Sequence, residues 1–332
     1  MMLKLYGALA SPYSMKVRAA LRWLHLPHVW VPMGMEHAEV MNRIKPAVIP
    51  IVEYPDGRLA NDSTPLLLEF SAAAPARSLL PEDPLLRFLV LLIEDFADEW
   101  LTKVMFHYRW AAEEDQRVMS KAIIYDRLRG NGLDLIGLAA QQFRDRQVGR
   151  MTLVGCGPEH APQIAATYAR VLALLEAMVP DRAFLFGSRP SLADFGLFGQ
   201  LSQLAVDPTS CAIMRRDAPL TWRWLMLVDD AAGLDGEWLS ADEAGEDPAI
   251  AGLLGLVAEV YLPFLAANAA AIEAGAADFA VKVLGQVHRQ PVFRYQAKCL
   301  ASLKAAFAGL DAAVQDRVRA LLGRPATAIL GA

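Results

Sequence analysis

LKLYGALASPYSMKVRAAL, residues Leu3–Leu21, is the stretch that sets the reading of the whole chain. Leu3–Tyr6 is a short apolar run of strand length, and a loop of small residues follows, broken at Pro12. Between Ser14 and His25 the apolar side chains Met15, Val17, Ala20, Leu21 and Leu24 recur at helical spacing. A strand therefore passes through a tight loop into a helix, with Ser11 at the junction. Unpaired backbone N–H groups and the positive end of the dipole meet at a helix start and stabilise an anion there. A serine so placed can donate to a thiolate or phosphate. Equally, Ser11 or Ser14 can act only as an N-cap. GALASPYS matches neither a P-loop nor the glycine pattern of dinucleotide sites.

Outward from this unit the alternation continues to about residue 80. Val29–Val31 reads as a second strand and Val48–Tyr54 as a third, with Pro55-Asp56-Gly57 as the turn into Arg58–Ala60. Asn61–Thr64 then feeds a helix over Pro65–Ala74. The order βαβ then ββα predicts a small mixed sheet of about four strands, too short for a full dinucleotide domain. Pro50 at a strand start removes a ladder donor, and a cis bond there would leave the Ile49 backbone free to pair with an extended peptide; a plain strand-start proline fits as well. Asp62 and Ser63 fit either a helix cap or a site for an α-amino acid end, the carboxylate taking an amino group and the hydroxyl and N–H groups a carboxylate.

APARSLLPEDP, residues 74–84, is a proline-marked linker, and the pattern beyond it is almost wholly helical. Leu85–Ala112 reads as one long helix, followed by helices over Glu113–Arg129, Ile136–Val148 and Pro162–Met178. Ser191 and Asp194 form an S-x-x-D capping box that opens another helix. Asp230–Asp247 is a Gly/Asp/Glu-rich break. The remainder predicts an apolar helix over Ala249–Ile272, a strand pair at Phe279–Val283 and Gln286–Arg294 turning at Gly285, and an amphipathic helix over Tyr295–Leu322. Trp100, Val104, His107, Tyr108 and Ala111 share one helix face, which serves either as core packing or as the lining of an apolar acceptor pocket facing Tyr13.

Composition narrows the function. Apolar residues make up 55% of 332, and the net charge is −5 without a basic block, so neither disorder nor a nucleic-acid footprint is expected. Three scattered cysteines form neither a disulfide framework nor a metal set, so no metal is expected and a reducing compartment is. Ala249–Ile272 has the length of a membrane span, but Glu259 lies near its middle, Pro263 interrupts it and acidic residues precede it. A buried helix of a soluble protein is the expectation.

At this point the chain resembles the glutathione transferase superfamily. The resemblance rests on S-P-Y-S-x-K-V-R at Ser11–Arg18, the proline of V-I-P-I, N-D-S-T at Asn61–Thr64 and F-G-S-R-P-S-L-A-D-F at Phe186–Phe195. It implies an α+β thioredoxin-like domain over 1–78, a linker over 79–84 and a larger, mainly α-helical domain over 85–230, leaving residues 231–332 as an extension packed on the helices. It implies glutathione as co-substrate, Ser11 as the catalytic hydroxyl with Ser14 as the alternative, and Ile49, Pro50, Asp62 and Ser63 as glutathione contacts. Lys45 stands where a ligand of the glycyl carboxylate would, although KPAVIP is one residue shorter than the usual loop. Tyr13, His107 and Tyr108 would line the acceptor pocket. A cytoplasmic homodimer acting in detoxification on a small electrophile is implied too, with no membrane or nucleic-acid partner. Serine at position 11 argues against thiol-disulfide transfer. The rival expectation is a non-catalytic binding or scaffolding protein on the same fold.

Overall fold

In the computed structural model, which describes residues 2–331, strands β1 (Leu3–Gly7), β2 (His28–Pro32), β3 (Ile51–Glu53) and β4 (Leu59–Asn61) form one sheet in the order β2-β1-β3-β4. Helix α1 (Pro12–Trp23) is the crossover that lets β1 and β2 pair in parallel, whereas β1–β3 and β3–β4 are antiparallel. Leu5 lies opposite Val52, and both are fully buried. The β3–β4 turn needs Gly57, whose φ is +86°, in the left-handed region that glycine enters without a Cβ penalty. Val48–Tyr54 shortens to Ile51–Glu53, since Pro50 lacks the amide donor a ladder needs and Tyr54 N closes the turn on the Arg58 carbonyl. The Lys45–Pro46 and Ile49–Pro50 peptides are both cis. A single helical turn (Met35–His37) and α2 (Ala38–Asn42) fill the loop before β3, and α3 (Ser63–Ala73) follows β4.

The helical layer comprises α4 (Pro84–Glu99), α5 (Leu101–Trp110), α6 (Glu113–Arg127), α7 (Leu133–Val148), α8 (Met151–Val154), α9 (Ala161–Met178), α10 (Leu192–Leu204), α11 (Pro208–Asp217) and α12 (Pro219–Asp229). At its centre α10 is almost wholly buried, entered through the expected box: Ser191 N donates to Asp194 Oδ2 at 2.8 Å while Asp194 N donates back to Ser191 Oγ. Close approach explains Gly199, where a Cβ would lie 2.9 Å from the Pro12 carbonyl oxygen. The glycine lets α10 touch α1 and so joins the two layers.

The long helix expected over Leu85–Ala112 is in fact two, broken at Trp100. The Tyr13 hydroxyl donates to the Asp98 carbonyl at 3.0 Å, an acceptor that an unbroken helix uses for residue 102. The Trp100 ring packs edge-on to Phe264, which accommodates the bend in the core. Tyr295–Leu322 likewise divides into α16 (Arg294–Ala308) and α17 (Ala312–Leu322), because Asp311 caps a new start by accepting from Val314 N.

Between these lie α13 (Ala241–Glu246), α14 (Pro248–Leu256), α15 (Leu262–Glu273) and the hairpin of β5 (Asp278–Val283) with β6 (Gln286–Pro291); α18 (Arg324–Gly331) closes the chain. The second hairpin strand stops at Pro291, short of Arg294, since Phe293 is bonded through its backbone to the Asn268 side chain. Pro248–Glu273 is one continuous run of 26 residues, long and apolar enough to span a bilayer; its most apolar 18-residue window has mean hydropathy 1.9 and is 61% buried inside the protein. A π turn at Val257–Tyr261 precedes Pro263 and widens the helix where the proline ring would crowd a preceding carbonyl.

One contiguous core runs from Leu5 to Leu330, and ring pairs Phe96–Tyr261 and Phe88–Phe307 stitch the last hundred residues to α4. Ending the chain after Asp230 uncovers this face, an apolar patch on the order of several hundred Å² that soluble monomers rarely tolerate. The 1–230 fragment is expected to aggregate, checked by size-exclusion chromatography and light scattering; a monodisperse fragment would contradict the single-core packing.

Candidate functional site

The loop between β1 and α1 is held from below by the helical layer. Arg109, 3% exposed, donates through Nε and Nη2 to both oxygens of fully buried Asp207, at 2.9 and 3.1 Å, and its remaining nitrogen donates to the Ala10 carbonyl at 2.9 Å. Gln203 Nε2 donates to the Leu9 carbonyl. Above that grip the two candidate serines part company. Ser14 is fully buried and accepts from Ala8 N, which sets its hydroxyl against the loop and away from solvent. Ser11 is half-buried, caps α1 by accepting from Ser14 N at 3.2 Å, and keeps its own O–H to donate. The adjoining Tyr13 amide makes no backbone bond, as expected in a first turn.

Ile49 carries the second edge. Its N–H and C=O enter no backbone hydrogen bond, and the cis Ile49–Pro50 peptide directs the chain into β3. Asn61 ties the Pro46 carbonyl to the end of β4, which keeps this loop against the start of α3. Lys45 is exposed on the same loop.

Asp62 is the third. Its φ of +76° is unusual for a residue with a side chain, and its carboxylate does not cap α3 although it sits in the N-cap position. The Ser63 and Thr64 amides, the first donors of an eleven-residue helix, are therefore left to other acceptors, and Pro65 has no N–H. Ser63 is buried, with its hydroxyl 3.4 Å from Asp98 Oδ2.

Behind these three edges lies a buried charge cluster that periodicity alone did not disclose. Fully buried Lys16 bonds Asp98 Oδ2 at 2.6 Å and also Glu94, while Thr64 shares the Glu94 carboxylate. Burial opposes the charge on Lys16, but Asp98 and Glu94 overturn that and hold the ammonium above its ordinary value. Asp95 has no such cation, and Lys103 near Glu99 offsets its burial only in part. Burial pushes Asp95 up to about 7 and Glu99 up to about 8, each helped by neighbouring acids. Tyr261 donates to Asp95 at 2.6 Å.

Two of the aromatic candidates touch: the His107 and Tyr108 rings pack edge-on with 5.7 Å between centroids. Tyr13 points its hydroxyl at the Asp98 carbonyl, His107 Nδ1 donates to the Cys156 carbonyl, and Tyr108 packs at a tilt against Tyr168 with 5.1 Å between centroids. Trp100 and Val104 are fully buried core, as the packing reading of that helix face required. Among the described residues no His/Cys/Asp/Glu group suits a metal ion.

Residues 5–78 match the N-terminal domain family of glutathione S-transferases, and residues 158–225 match the C-terminal domain family. The chain thus carries matches to both the N- and the C-terminal domain families of the glutathione S-transferases. Similar solved structures include a glutathione S-transferase from Rhodospirillum rubrum F11 (19% identity, 76% of this chain and 92% of that one, TM-score 0.43). The beta-etherase LigF from Sphingobium sp. strain SYK-6 is another (20% identity, 76% and 98%, TM-score 0.43). A third is the glutathione-bound transferase from Methylobacillus flagellatus KT (18% identity, 69% and 96%, TM-score 0.41). No curated protein matches the chain.

Stability should fall as pH rises through neutrality. Asp95 and Glu99 titrate higher folded than unfolded, so from about pH 4 up to 7–8 the folded state keeps protons that the unfolded chain has lost. Each retained proton contributes a slope of about −1.4 kcal/mol per pH unit. Urea unfolding at pH 6 and pH 8 is expected to give the higher stability at pH 6, with Glu99→Gln shrinking the difference. Equal slopes in the two proteins would remove Glu99 as a source.

Proposed function

We propose that the protein is a glutathione transferase that holds the tripeptide across the three edges described above. The carrying observation is Asp62: a carboxylate at a helix start that leaves its own helix uncapped is poised for a ligand. In this reading the Asp62 carboxylate takes the γ-glutamyl ammonium, while the Ser63 and Thr64 amides take the γ-glutamyl carboxylate, joined by the Ser63 hydroxyl once it turns from Asp98. The Ile49 N–H and C=O pair with the cysteinyl unit, next to Pro50, and Lys45 reaches for the glycyl carboxylate.

Ser11 then faces the sulfur. Its free O–H and the positive end of α1 favour thiolate over thiol, so the thiol proton passes to solvent. The thiolate lone pair forms a C–S bond with the electrophilic carbon, and the leaving group departs with its electron pair. Because the donor strengthens as charge develops, its effect falls on turnover more than on binding. Tyr13, His107 and Tyr108 are proposed to bound the acceptor side. Residues 1–78 and 85–230 serve as the two working units, with 231–332 as the added layer. A cytoplasmic homodimer with a detoxifying role accompanies this reading.

Asp62→Ala is expected to weaken glutathione binding by about 1.5–3 kcal/mol, the scale of a charge-assisted hydrogen bond, as read by calorimetry. Unchanged affinity would remove the assignment. Ser11→Ala should instead raise the pKa of bound glutathione and slow conjugation of a generic electrophile with little change in affinity. A pH–rate profile displaced by Ser14→Ala and not by Ser11→Ala would transfer the role to Ser14. Tight binding without turnover across a broad electrophile panel would favour a non-catalytic binding protein.

A further inference from the structure

Asp62 already has one partner, and it comes from the far end of the chain. Tyr295 Oη donates to Asp62 Oδ2 at 2.9 Å across 233 positions of sequence. Both ends of this contact are braced. Asp62 sits in a constrained backbone conformation at the head of α3. The head of α16 is anchored by fully buried Asn268, whose amide nitrogen donates to the Phe293 carbonyl at 2.9 Å and whose oxygen accepts from Phe293 N at 2.8 Å.

The aromatic pair at this corner is not core filling. Phe293 is 53% exposed and Tyr295 39% exposed, with ring centroids 6.4 Å apart, so they form a rim beside Asp62. The contact also leaves capacity. Tyr295 occupies Oδ2 alone, and Asp62 Oδ1 accepts no hydrogen bond from the described residues. Next along α16, the buried Oε1 of Gln296 has no donor either. A carboxylate has lone pairs on both oxygens, and a phenol donor on one of them fixes the plane of the group while the other stays available. A cationic N–H is the partner such an oxygen binds most strongly.

We propose that Tyr295 is a specificity-determining residue that the C-terminal segment adds to the glutathione site: it orients Asp62 so that Oδ1 receives the free α-ammonium of the γ-glutamyl end. This rests on the glutathione reading above. It makes the last hundred residues part of ligand recognition, and it makes a free amine, not only the tripeptide's shape, a requirement of the site. Tyr295 acts through Asp62 and is thus a positioning residue.

The test compares glutathione with glutathione acetylated on its γ-glutamyl amine, measuring both dissociation constants by calorimetry for the full-length wild type, Tyr295→Phe, Asp62→Asn and the double variant. The wild type should prefer the free amine. Tyr295→Phe should lose roughly five-fold in glutathione affinity, the scale of the net effect of one intramolecular hydrogen bond, and nothing for the acetylated form, so selectivity drops. In the Asp62→Asn background the same change should have no further effect on selectivity. A merely structural role would weaken both ligands alike, and an unchanged melting temperature shows the variant folded. With a wild type that binds glutathione, unaltered selectivity in Tyr295→Phe overturns the proposal, as does tighter binding, which would make the hydroxyl a competitor of the ligand. A wild type that binds neither compound removes the glutathione reading and this inference with it.

Discussion

Lys16 is the interaction on which the rest of the structure depends. Its ammonium, wholly out of water, is shared between Glu94 and Asp98 of α4 and touches Thr64 of α3. A buried charge survives only with compensating partners, and losing one member of such a set typically costs about 3–5 kcal/mol. That penalty locks α1, α3 and α4 into a single arrangement. Since Ser11 heads α1 and Ser63 heads α3, two edges of the candidate site inherit their separation from one buried cation.

Arg109 and Asp207 repeat the device on the other side of α10. Their paired hydrogen bonds fix the guanidinium, whose remaining nitrogen holds the Ala10 carbonyl and with it the loop leading to Ser11. Gly199 lets α10 approach Pro12 closely enough for that loop to be reached. The loop that faces the proposed sulfur site is thus irregular in backbone but rigid in position, which is what a preorganised hydrogen-bond donor requires. Four acids crowded on the last turns of α4 are the cost of this design. Lys16 cannot offset the burial of them all, so Asp95, Glu99 and Lys16's own partner Asp98 are pushed toward holding protons near neutrality.

The C-terminal layer changes what the two-domain plan would otherwise present. Phe264, Tyr261 and Phe307 close over α4 and α5, and the hairpin delivers His288 into the same core, 5.3 Å from the Trp100 ring. Through that packing the start of α16 is brought to Asp62. A segment that reads in sequence only as an amphipathic helix in need of a partner face comes to stand beside Asp62 in the candidate site.

By itself the sequence determined the elements whose signals are local. The β1–α1 loop, the Pro55–Gly57 turn, the Ser191–Asp194 box and the burial of Ala249–Ile272 could all be read from neighbouring residues, because turn chemistry, capping and hydrophobic periodicity act within a few positions. The motifs at Ser11, Pro50 and Asp62 were legible for the same reason. Only the tertiary structure decided the break at Trp100, which requires a hydroxyl from α1 to reach a carbonyl of α4. It also separated Ser11 from Ser14 by exposure, burying Ser14 beneath Gly7 and leaving Ser11 half-buried. The partners of Lys16, Arg109 and Asp62 lay beyond sequence reading too, since an ion pair or hydrogen bond between residues 78 to 233 positions apart leaves no periodic trace and is set by how whole layers pack.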